Sequence, residues 1–268
     1  MDRSLHGTPE TLLIPLWGRA NAHRYGLPAD PIAETLVRRA APEGIRLPVA
    51  PKIQIFMALR SLLLDRCTAD FLREHPNAPV LSLGSGLDGR CLRVTGYGCW
   101  TDVDLPEVIA LRQELMGGLL PEHCTMVGSS VTESHWLDRL PREEGPVLIL
   151  MEGLLMYLHP QEVAALLQRL VAHFPRCHLA FDAYSTLTVR GSRFQPSLRK
   201  TGAQIFWGMD TPEELEQLCP GLRFRQKIFL TDAPELALLP RWYRLMFALA
   251  GKSRTAREAH RIFVWEAP

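Results

Sequence analysis

A chain of 268 residues, 47% hydrophobic and with a formal charge of +1, can bury one substantial core and lacks the basic excess that nucleic-acid capture needs. Six cysteines at 67, 91, 99, 124, 177 and 219 form no C-x-x-C pair and no Cys/His zinc spacing, so reduced thiols, a cytoplasmic setting and no metal are expected. The first residues lead into no signal core and no run approaches the roughly 20 apolar residues that span a bilayer, which leaves neither membrane nor nucleic acid as an expected partner.

The first quarter reads as helix. From 11 to 75 the apolar spacing is helical, Pro28, Pro42, Pro48 and Pro51 interrupt it, and no strand pattern appears. Residues 1–76 are therefore expected to cap a core at 77–268, the two making one structural unit. Within 53–71 the positions Ile53, Phe56, Met57, Leu63, Leu64, Cys67 and Phe71 form a stripe that contains Arg60. An inward guanidinium needs an anion, either an internal carboxylate such as Asp65 or a ligand. Arg19 lies on the apolar side of its short helix in the same way, and the two arginines together could hold a ligand carboxylate.

The run 80–91, Val-Leu-Ser-Leu-Gly-Ser-Gly-Leu-Asp-Gly-Arg-Cys, is an apolar strand that stops in Gly84, Gly86 and Gly89. Such glycines let bare backbone turn sharply and meet a nucleotide closely, and Asp104 follows as the acid that ends a second strand. NAD and S-adenosylmethionine (SAM) both fit this spacing; a loop merely punctuated by glycine is the plain alternative.

From Asn77 onward strands and helices alternate, the signature of a parallel sheet covered on both faces. Strands are expected near 79–83, 98–103, 123–127, 147–151, 177–182, 223–229 and 261–266, and helices near 106–116, 133–140, 160–174, 211–219 and 236–250. Ligands of such sheets sit beyond the carboxyl ends of the strands. Asp104 there would accept from two ribose hydroxyls, or act as a helix-start carboxylate. The run 147–151 is continuously apolar, so Glu152 after it needs a cation, either a ligand ammonium or Arg60. His159 precedes Pro160 and is expected to cap a helix. Asp182 and Tyr184 end the fifth strand on the same rim. Residues 185–210 mix basic, aromatic and glycine residues over a length typical of a lid, the alternative being a surface excursion with one packed tryptophan. The apolar stretch from 236 to 250, bent or restarted at Pro240, would pack on the sheet or contact a membrane or partner.

A series of motifs is more specific than the glycines: Glu10-Thr11-Leu12-Leu13-Ile14-Pro15-Leu16, Arg60 with Leu64-Asp65-Arg66, and Leu83-Gly84-Ser85-Gly86-Leu87-Asp88. Asp104-Leu105-Pro106-Glu107-Val108-Ile109, Glu152-Gly153-Leu154-Leu155-Met156-Tyr157-Leu158 and Trp207-Gly208 continue it. Across roughly residues 10 to 230 the chain resembles the leucine carboxyl methyltransferase-like family of SAM-dependent methyltransferases, and within it the bacterial polyketide O-methyltransferases. The resemblance implies an α/β class I (Rossmann-like) fold with a seven-stranded, mostly parallel sheet in the order 3-2-1-4-5-7-6, the last-but-one position antiparallel. It also implies SAM as cofactor and S-adenosylhomocysteine as product. On this likeness Arg60, assisted by Arg19, meets the methionyl carboxylate, and Gly84, Ser85 and Gly86 approach the cofactor. Asp104 takes the ribose with Leu105 beside it, and Glu152 with Gly153 lies near the methionyl group. Many relatives carry an acidic and then an apolar residue after the third strand; here the stretch is Gly128-Ser129-Ser130-Val131, which makes Ser130 and Val131 the adenine candidates. Leu87-Asp88-Gly89-Arg90 stands where the family has Leu-Asp-Thr-Arg.

In-line transfer of a methyl group to oxygen depends mostly on positioning and desolvation. A carboxylate acceptor, with a pKa of about 4, needs no base, whereas a phenol at about 10 does. Asp182 and His159 are candidates for that base, and Tyr157 joins them as a catalytic candidate. The acceptor class implied by the resemblance is a small polyketide-like or aromatic acid, methylated on a carboxylate or a hydroxyl. Tyr157, Tyr184, Phe206 and Trp207 would wall it, and Arg193 and Lys200 would attract its charge. Methylation of a protein C-terminal carboxylate is the nearest rival; an NAD-dependent oxidoreductase and a SAM-binding module without catalysis are rivals of other classes. A small-molecule acceptor is the expected partner, and a homodimer is left open.

Overall fold

The computed structural model describes residues 10–40, 49–192 and 204–267. Seven strands, β1 (Val80–Leu83), β2 (Trp100–Asp104), β3 (Cys124–Gly128), β4 (Val147–Met151), β5 (Cys177–Tyr184), β6 (Arg223–Phe229) and β7 (His260–Glu266), form one sheet. Their order is β3-β2-β1-β4-β5-β7-β6, parallel throughout except for β7, which runs antiparallel to β5 and β6. This is the order that the family likeness implied. The helices are α1 (Glu10–Ala20), α2 (Pro31–Ala40), α3 (Pro51–Glu74), α4 (Arg90–Arg93), α5 (Pro106–Met116), α6 (Pro160–His173), α7 (Thr186–Ser192), α8 (Pro212–Leu218), α9 (Arg241–Lys252) and α10 (Arg254–Arg257).

Burial explains the central position of β4. All five of its residues are buried. Val147, Ile149 and Met151 pack with Val163, Leu166, Leu167 and Leu170 of α6, whereas Leu148 and Leu150 pack with Ile55, Leu59 and Leu63 of α3. A strand apolar on both faces must be covered on both, which suits the middle of a parallel sheet. The N-terminal helices add a third cluster, in which Leu13, Leu16, Ala33 and Leu36 meet Leu115 and Met116 of α5.

Two expectations change, and a third, left open between a bend and a restart, resolves. The stretch 133–140 holds only a short turn at Leu137–Arg139, because Trp136 and Leu137 are its only buried side chains and give a helix no face to lay down. On α3 the deeply buried stripe runs through Ile55, Leu59, Leu63 and Leu64, with Ile53, Met57 and Cys67 only half-buried; Arg60 still points inward and is 3% exposed. The stretch near 236–250 restarts at Pro240, a short turn at Pro234–Leu238 preceding α9. Among the described residues no helix is long and apolar enough to cross a membrane, and no cluster of three His, Cys, Asp or Glu side chains could hold a metal.

The sheet order reverses between β1 and β4, and at such a switch point the crevice beyond the strand ends is open to a ligand. The glycine turn after β1, Asp104 at the end of β2, Glu152 after β4, Asp182 and Tyr184 on β5 and His260 at the start of β7 all reach this one rim. Leu59, wholly buried on α3, is the test of how firmly the N-terminal helices are built into the core. Leu59→Ala should lower stability by about 2–5 kcal/mol in denaturant titrations, with circular dichroism and tryptophan fluorescence shifting together. Separate transitions would mean that the helices unfold apart from the sheet.

Candidate active site

The turn after β1 depends on left-handed backbone at Gly84 (φ +63°) and Gly86 (φ +49°). A Cβ on Gly84 would come within 2.9 Å of Leu154 Cδ1, so β1 and the loop after β4 meet here without room for a side chain. Asp104 accepts from the Gly86 and Leu105 N–H groups, each at 2.7 Å. Burial raises the pKa of this carboxyl against the pull of those two donors. Arg112 of α5, which the sequence reading missed, is fully buried and donates to the Gly86 and Asp88 carbonyls at 2.8 Å each while pairing with Asp102. It ties the turn to the second strand from beneath. The Ser85 hydroxyl is buried in the same turn with no partner among the described residues.

A buried chain of ion pairs runs from this turn to the rim. Arg60 Nε donates to Glu152 Oε1 at 3.0 Å, and its Nη1 donates to Asp182 Oδ2 at 3.2 Å. Arg90 takes the other Glu152 oxygen at 2.6 Å, Asp65 at 2.5 Å and Asp88 at 2.9 Å. Arg93 bridges Asp65 at 2.7 Å and Asp88 at 2.8 Å. Arg19 donates to the Leu87 carbonyl at 2.9 Å and lies 3.5 Å from Asp30. Asp65, open to Arg60 on sequence grounds, thus serves Arg90 and Arg93 instead, and among the described residues no carboxylate pairs with both Arg19 and Arg60. Arg60 Nη2 makes no hydrogen bond among the described residues; it faces Gly153 (φ +63°), where a Cβ would stand only 3.1 Å from it.

Asp182 is saturated. Besides Arg60, its Oδ1 accepts from the Gly153 N–H at 2.5 Å and its Oδ2 pairs with His260 Nε2 at 2.5 Å. Burial opposes its charge, but Arg60 and His260 outweigh burial and hold the carboxyl well below the ordinary range. The His260 ring is stacked between Tyr184 at 4.2 Å and Phe56 at 4.9 Å, and burial outweighs Asp182 in lowering its pKa. Burial raises the Tyr157 and Tyr184 hydroxyls, so both stay protonated near neutral pH, and neither has a hydrogen-bond partner among the described residues.

Other candidates divide. His159 precedes α6 as expected, its N–H held by Glu162 at 2.7 Å, and its exposed ring lies tilted against Phe206, with ring centroids 4.1 Å apart. Phe206 is 39% exposed, and with Leu105 and Leu187 it leaves apolar surface to solvent. Trp207 corrects the expectation of a substrate wall: it is 5% exposed and lies in the core 6.3 Å from Phe181. The Ser130 hydroxyl is shared with Thr132, whereas Val131 turns its side chain into the core. Arg193 and Lys200 lie outside the described residues.

A parallel sheet with this switch point, a glycine turn and an acid ending the neighbouring strand defines the nucleotide-binding α/β class. Residues 15–171 match the model of the leucine carboxyl methyltransferase family. The chain is 39% identical over 239 residues to the tetracenomycin polyketide synthesis O-methyltransferase TcmP of Streptomyces glaucescens, covering 87% of each chain. It is 33% identical over 249 residues to the S-adenosyl-L-methionine-dependent methyltransferase dpfgK of Gibberella zeae, covering 85% of this chain and 84% of that one. Among solved structures, a DUF574 family protein from Streptomyces avermitilis superposes with a TM-score of 0.62 at 14% identity, over 96% of this chain and 97% of the other. The chain belongs to the leucine carboxyl methyltransferase family.

The lowered pKa of Asp182 gives a signed pH dependence. Its stabilisation is present above the unfolded carboxyl value of about 3.9 and is lost as pH falls through that value toward the depressed folded one. Asp182→Asn should cost about 1–3 kcal/mol at pH 7, since Arg60 keeps Glu152 but loses the second of its two carboxylates. Its denaturation midpoint should then fall less than that of the parent between pH 7 and 3. Parallel pH curves for the two proteins would remove Asp182 from the acid response.

Proposed function

We propose that this chain is a SAM-dependent O-methyltransferase acting on a small polyketide-like or aromatic acid in secondary metabolism. The observation that carries the reading is the 39% identity, over 87% of both chains, to a polyketide O-methyltransferase. Features of the rim support it. The Ser85 hydroxyl, without a partner among the described residues, and the Nη2 of Arg60, which makes no hydrogen bond among them, suit a ligand with a polar end and a carboxylate.

In this reading bound SAM supplies a methyl group on a positively charged sulfur. Arg60 Nη2 donates to the methionyl carboxylate, with Arg19 shaping the far end of the arginine network. Glu152 keeps lone pairs for the ammonium while its two oxygens hold Arg60 and Arg90. The turn at Gly84, Ser85 and Gly86 approaches the cofactor, Asp104 receives the ribose hydroxyls, and Leu105 with Ser130 and the Val131 backbone borders the adenine. Gly153 leaves the space beside Arg60 that the methionyl group needs.

The neutral hydroxyls of Tyr157 and Tyr184 donate to the acceptor oxygen and set its line of approach. Phe206 and the ring of His159 form its apolar border. A carboxylate acceptor arrives ionised and needs only this alignment. For a phenol, Asp182 is a poor proton acceptor because Arg60 and His260 hold its charge, so the base role falls to the exposed His159.

Calorimetric titration checks the cofactor first. SAM and S-adenosylhomocysteine should bind, and Asp104→Ala and Arg60→Ala should each weaken binding about 10–100-fold, as loss of a charged hydrogen bond implies. Arg112→Met should weaken it about tenfold through the turn that Arg112 holds. Binding of NAD without SAM would overturn the assignment. With labelled methyl donor, transfer to small aromatic acids is expected, and transfer only to a protein C-terminal carboxylate would favour the rival acceptor. On such an acceptor Tyr157→Phe should reduce kcat/KM about tenfold for the loss of one hydrogen bond, with SAM affinity unchanged; an unaltered kcat/KM would remove the tyrosine from the acceptor site.

A further inference from the structure

The largest exposed apolar side chains away from the rim lie on and just before one helix. Leu238 is 54% exposed, Trp242 72%, Leu245 52% and Leu249 59%. On α9 the positions 242, 245 and 249 follow i, i+3, i+7 spacing, so three of them form one stripe, with Leu238 preceding the helix. The opposite face of α9 holds it to the body: Phe247 is buried and the Tyr243 ring meets Tyr25 edge-on at 5.9 Å. The helix is therefore formed and anchored before anything covers its outer face.

Charge says what covers it. Residues 241–257 contain five cations, Arg241, Arg244, Lys252, Arg254 and Arg257, and no carboxylate, in a chain whose formal charge is only +1. Arg257 pairs with Asp232 at 2.5 Å, whereas the other four have no ion-pair partner among the described residues. A second copy laid two-fold on this face would bring Arg241, Arg244 and Lys252 against the same three cations with no acid in the segment to offset them. A nucleic acid would match the charge but leave Leu238, Leu245 and Leu249 in water. An amphipathic helix with Trp and Leu on one side and Arg and Lys beside them fits an interface that is apolar within and anionic at its surface.

We infer that the outer face of α9, together with Leu238, docks on the surface of a lipid bilayer that carries anionic headgroups. This is surface association, distinct from spanning: it takes up the membrane contact that the apolar stretch from 236 to 250 left open, and departs from the expectation of no membrane partner, which rested on the lack of a signal core and of a spanning length. The helix links the end of β6 to the start of β7, both on the rim of the candidate site, so docking holds that rim near the bilayer. The docking does not depend on the methyl-transfer reading.

Flotation of the full chain with vesicles tests it. The protein should float with vesicles of phosphatidylcholine mixed with phosphatidylglycerol, stay down with phosphatidylcholine alone, and be released by salt at about 0.5 M. The combined change Arg241→Gln, Arg244→Gln and Lys252→Gln should lower partitioning about a hundredfold, each cation contributing about tenfold or less. Trp242→Ser with Leu245→Ser and Leu249→Ser should abolish it, while both sets keep the parent circular dichroism because every changed side chain is exposed. No flotation with the anionic vesicles, or equal flotation of parent and both variants, overturns the inference. So does a dimer in light scattering that the serine variant converts to monomer while the parent fails to float, since the face would then cover a second copy.

Discussion

Withdrawing four guanidinium groups from water beside a sheet, three of them buried and that of Arg93 half-buried, is prohibitive unless carboxylates arrive from elsewhere to meet them, and that constraint shapes the whole upper end of this protein. Arg19, Arg60, Arg90 and Arg93 are met by Asp30 ahead of α2, Asp65 on α3, Asp88 in the glycine turn, Glu152 after β4 and Asp182 on β5. Each arginine is a planar fork that can serve two or three acceptors, which a lysine could not do in the same plane. Individual buried pairs contribute little net stability, yet removing one member strands the others. The N-terminal helices, the turn and the rim are consequently locked into a single relative arrangement.

That stiffness matters to a site whose work is alignment. Donors held by several partners keep their positions as a ligand enters, so less ordering remains to be done on binding. Asp182 illustrates the point: it serves Arg60, His260 and the Gly153 N–H at once, and so fixes the loop after β4 that carries Tyr157. Its value lies in what it holds still.

The sheet was readable because apolar alternation and turn residues specify strands locally, and because the motif series carries their order. Arg60 was readable as an inward cation because it interrupts an apolar stripe. Of its partners, Glu152 was readable as one option, because a carboxylate after a fully apolar strand needs a cation, whereas Asp182, 122 residues away, was not, since nothing local marks that encounter. Arg112 and His260 escaped for the same reason: one lies in a helix of ordinary polarity, the other merely opens a strand. Trp207 misled because an aromatic residue in a long loop looks available, whereas the loop folds it back onto Phe181. The stretch 133–140 has helix-forming residues and too few apolar ones to fasten them, a case where propensity without a buried face yields a turn.

The place of β7 carries a consequence for how the molecule is made. It is the last in sequence of the seven described strands, yet it lies inside the sheet between β5 and β6 and is the strand with which β6 pairs. During synthesis β5 has an open edge, and β6 has no strand to pair with, until residues 260–266 leave the ribosome. Only then does His260 reach Asp182. The rim is thus completed only once β7 is made, and until then the nascent chain must keep an apolar strand edge from pairing with its neighbours.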